Sequence, residues 1–354
     1  MAGPVMQFVD SGRLQAAAVE VFAAAGCSAR EAGLIAGHLV ESNLRGHDSH
    51  GIGVLPGYVR SIQSGGMAAN QTLKVALDTG AMLICDADRG AGQVMAHDAM
   101  VLGIARARET GSSIVGLRNS HHIGRIGHWA EQCAAAGMVS VHFANVVAGP
   151  YVAPFGGTRA RLGTNPFAAA FPRDGQPPVV VDFATSRLAA GKISVARNKG
   201  VTLPEGALLD ASGQPTTDPA ALYTDPPGSL LPFGEHKGFG LMLACELLGA
   251  AAIGAPTQSS PDRAASVMNS MFSVIVSPER LGTAAPFADE LESMLGWVMS
   301  ENTEGRTDIM LPGMPELRSR EQRLAEGIPL DPGTLDQLTA AARSVGLARL
   351  DLRT

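Results

Sequence analysis

The chain has 354 residues, 45% of them hydrophobic and 17% charged, with a net charge of −6. That length allows one large or two ordinary domains and an ample core. The negative balance and the lack of any basic run argue against nucleic acid or a membrane surface as partner. Cys27, Cys85, Cys133 and Cys245 lie far apart with no CxxC pair, which fits reduced thiols in a cytoplasmic protein. Residues 1–10 carry no signal-peptide pattern, and the apolar stretch Leu241–Ala255 is interrupted by Glu246 and is short for a bilayer span.

From the N-terminus, Ser11–Ala25 reads as a helix closed by Gly26. Ser28-Ala29-Arg30-Glu31 is a capping box, after which Ala32, Ile35, Ala36, Leu39 and Val40 recur at helical spacing to Leu44. The polar run Gly46-His47-Asp48-Ser49-His50-Gly51 follows, then a short helix over Tyr58–Ser64. Strands are predicted at Thr72–Ala76, Ala81–Asp86, Ser113–Leu117, Val139–Asn145, Phe167–Phe171, Val179–Phe183 and Met268–Val276. Helices are predicted at Gln93–Glu109, Gly127–Ala136, Gly238–Gly249 and Leu291–Glu301, and from Pro332 to about Val345. Leu203–Gly228, rich in Pro, Gly and Asp, is expected as an extended surface excursion, and Met310–Pro329 as irregular chain. Helices thus dominate both ends, and α/β texture fills the middle.

No G-x-G-x-x-G is present: Gly90-Ala91-Gly92 and Gly238-Phe239-Gly240 both lack the third glycine and the strand–turn–helix order. There is no Walker loop and no G-x-S-x-G elbow. Five polar clusters nevertheless stand out. The His47–His50 run gathers proton donors and acceptors where a helix gives way to a loop, the usual place for catalytic groups; its plainer reading is a solvated turn. Asn119-Ser120-His121-His122-Ile123-Gly124-Arg125-Ile126-Gly127 follows a strand and opens a helix, a place that favours anions. Leu162-Gly163-Thr164-Asn165-Pro166 is by itself only a turn signal. Asp182 ends an apolar strand, either as a site residue or as a cap on the next helix. His236-Lys237 sits at a helix start, where a cation opposes the helix dipole unless an anion is near.

In this order, and together with Asp182-Phe183-Ala184-Thr185-Ser186, Thr216-Thr217-Asp218-Pro219 and His236-Lys237-Gly238-Phe239-Gly240, these motifs resemble the malate/L-lactate dehydrogenase family with its own non-Rossmann fold. The resemblance runs from about residue 10 to 345, and the stretch His121–Gly137 is most similar to its hydroxycarboxylate dehydrogenases. It implies an α/β fold: a central mixed-sheet cofactor-binding domain over residues 76–299, plus a helical domain built from both chain ends, 1–75 with 300–354. It further implies a homodimer using NAD, with NADP open, on a small 2-oxo or 2-hydroxy acid, and no bound metal. Carried over by motif, His50 would exchange the proton, with Ser49 and Asp182 as its partners. Thr164, His122 and Arg125 would meet substrate. The cofactor would lie along His122, Gly124, Arg125, Ile126, Val180, Val181, Asp182, Phe183, Ala184, His236, Lys237, Asn269 and the turn Gly313, Met314, Pro315, Glu316. One departure is visible. Many relatives carry Arg four residues after the catalytic His, where this chain has Val54, so Arg125 or, failing that, Arg161 is expected to fork onto the substrate carboxylate.

The resemblance leaves the acid itself open, with cyclic imino acids among the alternatives. A Ser49/His50/Asp182 hydrolase is the rival from another class, set back by adjacent Ser and His side chains that point apart on a regular element. A metal site built from His47, Asp48, His50, His121 and His122 matches no familiar ligand spacing.

Overall fold

The computed structural model describes residues 6–260, 266–300 and 309–352. Helices α1 (Ser11–Ala24) and α2 (Ala29–Leu44) follow a short strand β1 (Gln7–Val9). Asp10 and Ser28 cap them, each side chain accepting from the backbone three residues on. Their apolar faces meet through Leu14, Val21, Phe22, Ile35 and Leu39, all buried; each large side chain so removed from water contributes on the order of 1.5–3 kcal/mol. Two successive 3-10 turns, Asp48–His50 and Ile52–Val54, lead into α3 (Leu55–Gln63).

Seven strands then build one mixed sheet: β2 (Lys74–Asp78), β3 (Met82–Asp86), β4 (Ser112–Ser120), β5 (Val139–Val147), β6 (Phe167–Arg173), β7 (Gln176–Phe183) and, returning late, a strand at Met268–Val276. With that last strand as β11, the order is β2-β3-β4-β11-β5-β6-β7. Only β3 and β4 run parallel, because a helix, α4 (Gly92–Thr110), joins them. The period-2 alternation assigns the faces. Leu83, Cys85, Val115, Leu117, Met271 and Ile275 join the main core with α4 and α5 (Gly127–Ala135), whereas Ile84 and Phe272 pack with Ile253 on the other side. Helix α7 (His236–Gly249) packs on β5 and β11. Residues 236–253 are apolar enough in length and composition to cross a membrane, but Met242, Cys245 and Glu246 are buried against the rest of the protein.

Four stretches depart from the sequence-based expectations. Residues 203–228 are not an extended excursion. Strands β8 (Leu208–Leu209), β9 (Pro215–Thr216) and β10 (Ser229–Leu230) form a small sheet whose Leu208, Leu222 and Leu230 share a satellite core with Val152 and Ile193. Ile193 belongs to α6 (Ala190–Lys199), a helix that the Gly, Lys and Asn content concealed. Helix α9 covers Ala284–Met299, starting a full two turns before the expected Leu291; residue 301, in that expectation, lies outside the described residues. The span 310–329 holds a regular helix, α10 (Met314–Glu326), so charged that it lacks an apolar stripe, followed by β12 (Ile328–Leu330). Strand β12 pairs antiparallel with β1, and α10 packs on α2 while the last helix, α11 (Pro332–Ser344), packs on α3. The two chain ends are therefore brought together beside the sheet. The short α8 (Pro278–Leu281) links β11 to α9.

Candidate active site

Between those joined chain ends and the end of the sheet lies a cavity of about 1470 Å³, larger than the roughly 300–1,000 Å³ of ordinary small-molecule pockets. His50, Ser49, His121, His122, Gly124, Arg125, Ile126, Thr164, Asp182, Phe183, Ala184, Asn269, Pro315 and Glu316 line it.

The 3-10 turn bends the chain so that Ser49 Oγ lies 3.0 Å from His50 Nδ1. Adjacency was expected to keep these side chains apart unless the chain bends sharply here, and the tight turn is that bend. Nε2 of His50 is then the nitrogen left for the cavity. Burial pushes the His50 pKa down to about 4, against the pull of the Asp182 charge and with His47 and Arg125 adding to the depression. Asp182 was expected to favour the imidazolium, and it does act in that direction, but burial outweighs it.

Asn43, at the end of α2, holds this turn. Its buried amide donates to Asp48 Oδ1 at 2.6 Å and accepts from the Ile52 N–H at 2.6 Å. Arg323 of α10 forks onto both Asp48 oxygens, at 2.6 and 3.0 Å, and His47 faces Glu316. From the opposite side, the first turn of α6 presses Gly191 onto Ser49 so closely that no Cβ would fit.

The second arm is the loop after β4. Ile123 N–H donates to Asn269 Oδ1 at 3.0 Å. Gly124 takes φ +73° with the His38 ring against its Cα, so that neither a left-handed backbone nor the space admits another residue. Arg125, 2% exposed, meets Glu131 at 2.6 Å and Asp182 at 3.3 Å. Burial works against its charge, yet Glu131 and Asp182 hold its pKa above the ordinary value. Both tips of its fork are thus engaged, which removes Arg125 as the carboxylate clamp. Arg161 is exposed and outside the cavity wall, so neither arginine expected to bind the substrate carboxylate is placed to do so. Arg45 also faces carboxylates, Glu41 and Glu131. Among the described residues lining the cavity, Arg60, Lys192 and Arg187 show no ionic partner, Arg187 donating to the Gly206 carbonyl at 3.2 Å.

Thr164 follows Gly163 into the wall, and Asn165 behind it is pinned by Glu246 at 2.7 Å. Six residues expected along the cofactor do not line the cavity. Val180 is packed in the core with its N–H on Pro312, and Gly313 lies against it. Val181 and Met314 turn elsewhere, as alternation along β7 and the helical start of α10 require. His236 and Lys237 open α7 in solvent, His236 against Phe155.

Tyr58, absent from the motifs, joins the wall and is hydrogen-bonded to His122, with the buried Gln93 behind it bonded to Tyr58. The Gly90-Ala91-Gly92 run, set aside because it lacks the third glycine, is the one local signal that could have marked the place. Gly92 starts α4 against the His121 and His122 carbonyls, where no Cβ would fit, and the next residue is Gln93. Both ring nitrogens of the buried His121 and the Nε of Arg125 lack a partner. Orphaned donors beside a glycine turn in so large a cavity fit an extended polar ligand such as a dinucleotide. Among the described residues, no three His, Cys, Asp or Glu side chains converge as a metal cage.

A family profile described as malate/L-lactate dehydrogenase matches residues 9–339. Hydroxycarboxylate dehydrogenase B of Escherichia coli K12 is 46% identical over 96% of this chain and 94% of its own. The structure of sulfolactate dehydrogenase from Methanocaldococcus jannaschii superposes with a TM-score of 0.87 at 30% identity, covering 96% of this chain and 98% of the other. That of Δ1-piperideine-2-carboxylate reductase from Pseudomonas syringae gives 0.83 at 30% identity, covering 95% and 99%.

Proposed function

The chain belongs to the malate/L-lactate dehydrogenase family, and from that premise we propose that it interconverts a 2-oxo and a 2-hydroxy carboxylate by hydride exchange with NAD, His50 moving the proton. The observation that supports this most is the His50 imidazole on the cavity wall, its Nδ1 engaged by Ser49 at 3.0 Å. A nicotinamide ring supplies or accepts the hydride at the substrate carbon. The protein's part is proton transfer and orientation. Ser49 Oγ accepts the Nδ1 proton of neutral His50, which keeps the Nε2 lone pair for the substrate hydroxyl. As that proton arrives, the Asp182 charge stabilises the imidazolium; such acid–base help is worth roughly 10²–10⁴-fold. Gly124, Arg125, Ile126, Phe183, Ala184, Asn269, Pro315 and Glu316 are the wall along which the cofactor would lie. Thr164 would meet the substrate.

For the substrate carboxylate we propose Arg60 of α3, which has no ionic partner and, unlike Arg187, is not engaged by the Gly206 carbonyl. Gly57 leaves room for it to fold back along the helix, its terminal nitrogen 3.9 Å from where a Gly57 side chain would begin. We also propose a homodimer; Met294 and Trp297 of α9 stand exposed, and light scattering should give twice the 36.5 kDa chain mass. The deciding experiment is an absorbance assay of NADH and NADPH oxidation over a panel of 2-oxo acids and cyclic imino acids. Oxidation of NADH with a 2-oxo acid is expected. Turnover of imino acids alone, or acyl hydrolysis without coenzyme, would replace the proposal.

A further inference from the structure

His50 and His122 lie nearly parallel, ring centroids 5.7 Å apart. Two imidazoles so placed could trade the same proton unless something distinguishes them. The Tyr58 hydroxyl is 2.6 Å from Nδ1 of His122, and the Gln93 side-chain nitrogen donates to the Tyr58 oxygen over 3.0 Å. Gln93 is 1% exposed and its carbonyl oxygen is buried without a partner, so the Tyr58 oxygen is the one group its amide engages.

An amide nitrogen only donates. The Tyr58 oxygen therefore receives the Gln93 proton, and its own O–H points to His122. Nδ1 of His122 must accept, so its ring proton sits on Nε2. We infer that Tyr58 and Gln93 are positioning residues that lock His122 as the neutral Nε2–H tautomer, making it a fixed hydrogen-bond donor to the substrate's oxygens while His50 alone moves the proton. This rests on the reading of the cavity as a 2-hydroxy acid site.

Three features agree with it. Burial, with the nearby His50 and His121, pushes the His122 pKa down to about 3. Tyr58 is itself held against ionisation by burial, so it remains an O–H donor at every working pH. His121 meets the Tyr58 ring edge-on at 5.2 Å, and its nitrogens bond neither Tyr58 nor His122; no competing donor reaches Nδ1.

The test is ¹⁵N NMR of histidine-labelled full-length protein, with His122→Gln to assign the signal. Wild-type His122 should carry its proton on Nε2 at neutral pH. In Tyr58→Phe and in Gln93→Leu both tautomers should appear. KM for the oxo acid should rise tenfold or more, while NADH affinity stays within twofold. A wild-type His122 protonated on Nδ1 overturns the inference, as does a variant whose KM and tautomer both stay unchanged. Loss of NADH affinity in step with KM, with the tautomer intact, would reduce the pair to packing and equally overturn it. The spectrum needs no turnover, so a protein that reduces no oxo acid refutes the proposed activity and leaves the tautomer result standing.

Discussion

In the proposed reaction His50 is a base before it is an acid. With its pKa near 4, the free enzyme at neutral pH holds a neutral imidazole, ready to take a proton from a hydroxyl. kcat/KM reports free-enzyme ionisations, so oxidation of the 2-hydroxy acid should rise through about pH 4 and stay level above it. Reduction of the 2-oxo acid, which needs the imidazolium, should fall about tenfold per pH unit over the same range. Parallel profiles in the two directions would remove His50 from the proton step. His50→Ala should nearly abolish turnover while sparing NADH binding, measured by fluorescence titration. Arg60→Ala should raise KM for the oxo acid by roughly 10–100-fold, since charge-assisted hydrogen bonds contribute about 1.5–3 kcal/mol. Lys192→Ala should not; if the two effects are exchanged, the carboxylate is held by Lys192.

At the level of elements, the site depends on how firmly α2, α6 and α10 grip one bent turn. Asn43 satisfies the buried Ile52 N–H and shares an Asp48 oxygen with Arg323. Asn43→Ala should therefore cost about 1–3 kcal/mol, the penalty of a buried unsatisfied donor, read from urea midpoints, and should lower kcat as the turn loosens. Arg323→Ala breaks a more exposed fork and should cost under about 1 kcal/mol. An Arg323 variant that destabilises more than the Asn43 one would mean that α10, not α2, holds the turn. The elements nearest the His50 turn differed in how visible they were. Helix α2 could be read residue by residue from its cap and apolar period. Helix α10 could not, because Glu, Arg and Gln fill it and it docks through ion pairs and hydrogen bonds such as Arg320–Glu41 and Ser319–Leu44. Helix α6 was equally hidden, since its packing partners lie in the 203–230 segment rather than in its own periodicity.

Across the whole molecule, buried histidines set the acid limit. Burial lowers His121 and His128 to about 4, and His122 and His142 to about 3, and holds His38 well below its usual value. In the unfolded chain these groups take up protons near pH 6.5, and in the folded chain they do not. The unfolded state therefore binds more protons below about pH 6.5, and stability falls as pH falls from there towards 3–4, by up to about 1.4 kcal/mol per unit for each histidine. Urea midpoints should drop steeply between pH 7 and 5; a flat profile would mean that these rings are solvated.

The order of polar motifs and the apolar periods carried the family, the α/β class and most elements, because those signals are local: a cap, a stripe or an alternation is complete within a dozen residues. They also singled out His50, Ser49, Asp182 and His122 as candidates, which the fold gathers on one cavity. Tertiary structure decided what each side chain is free to do. Arg125 seemed available until Glu131 and Asp182 closed on its fork, and Tyr58 and Gln93 looked like ordinary helix residues until the chain stacked them behind His122. Charge pairing, burial and hydrogen-bond direction arise between segments far apart in the chain, so only the folded arrangement could assign them.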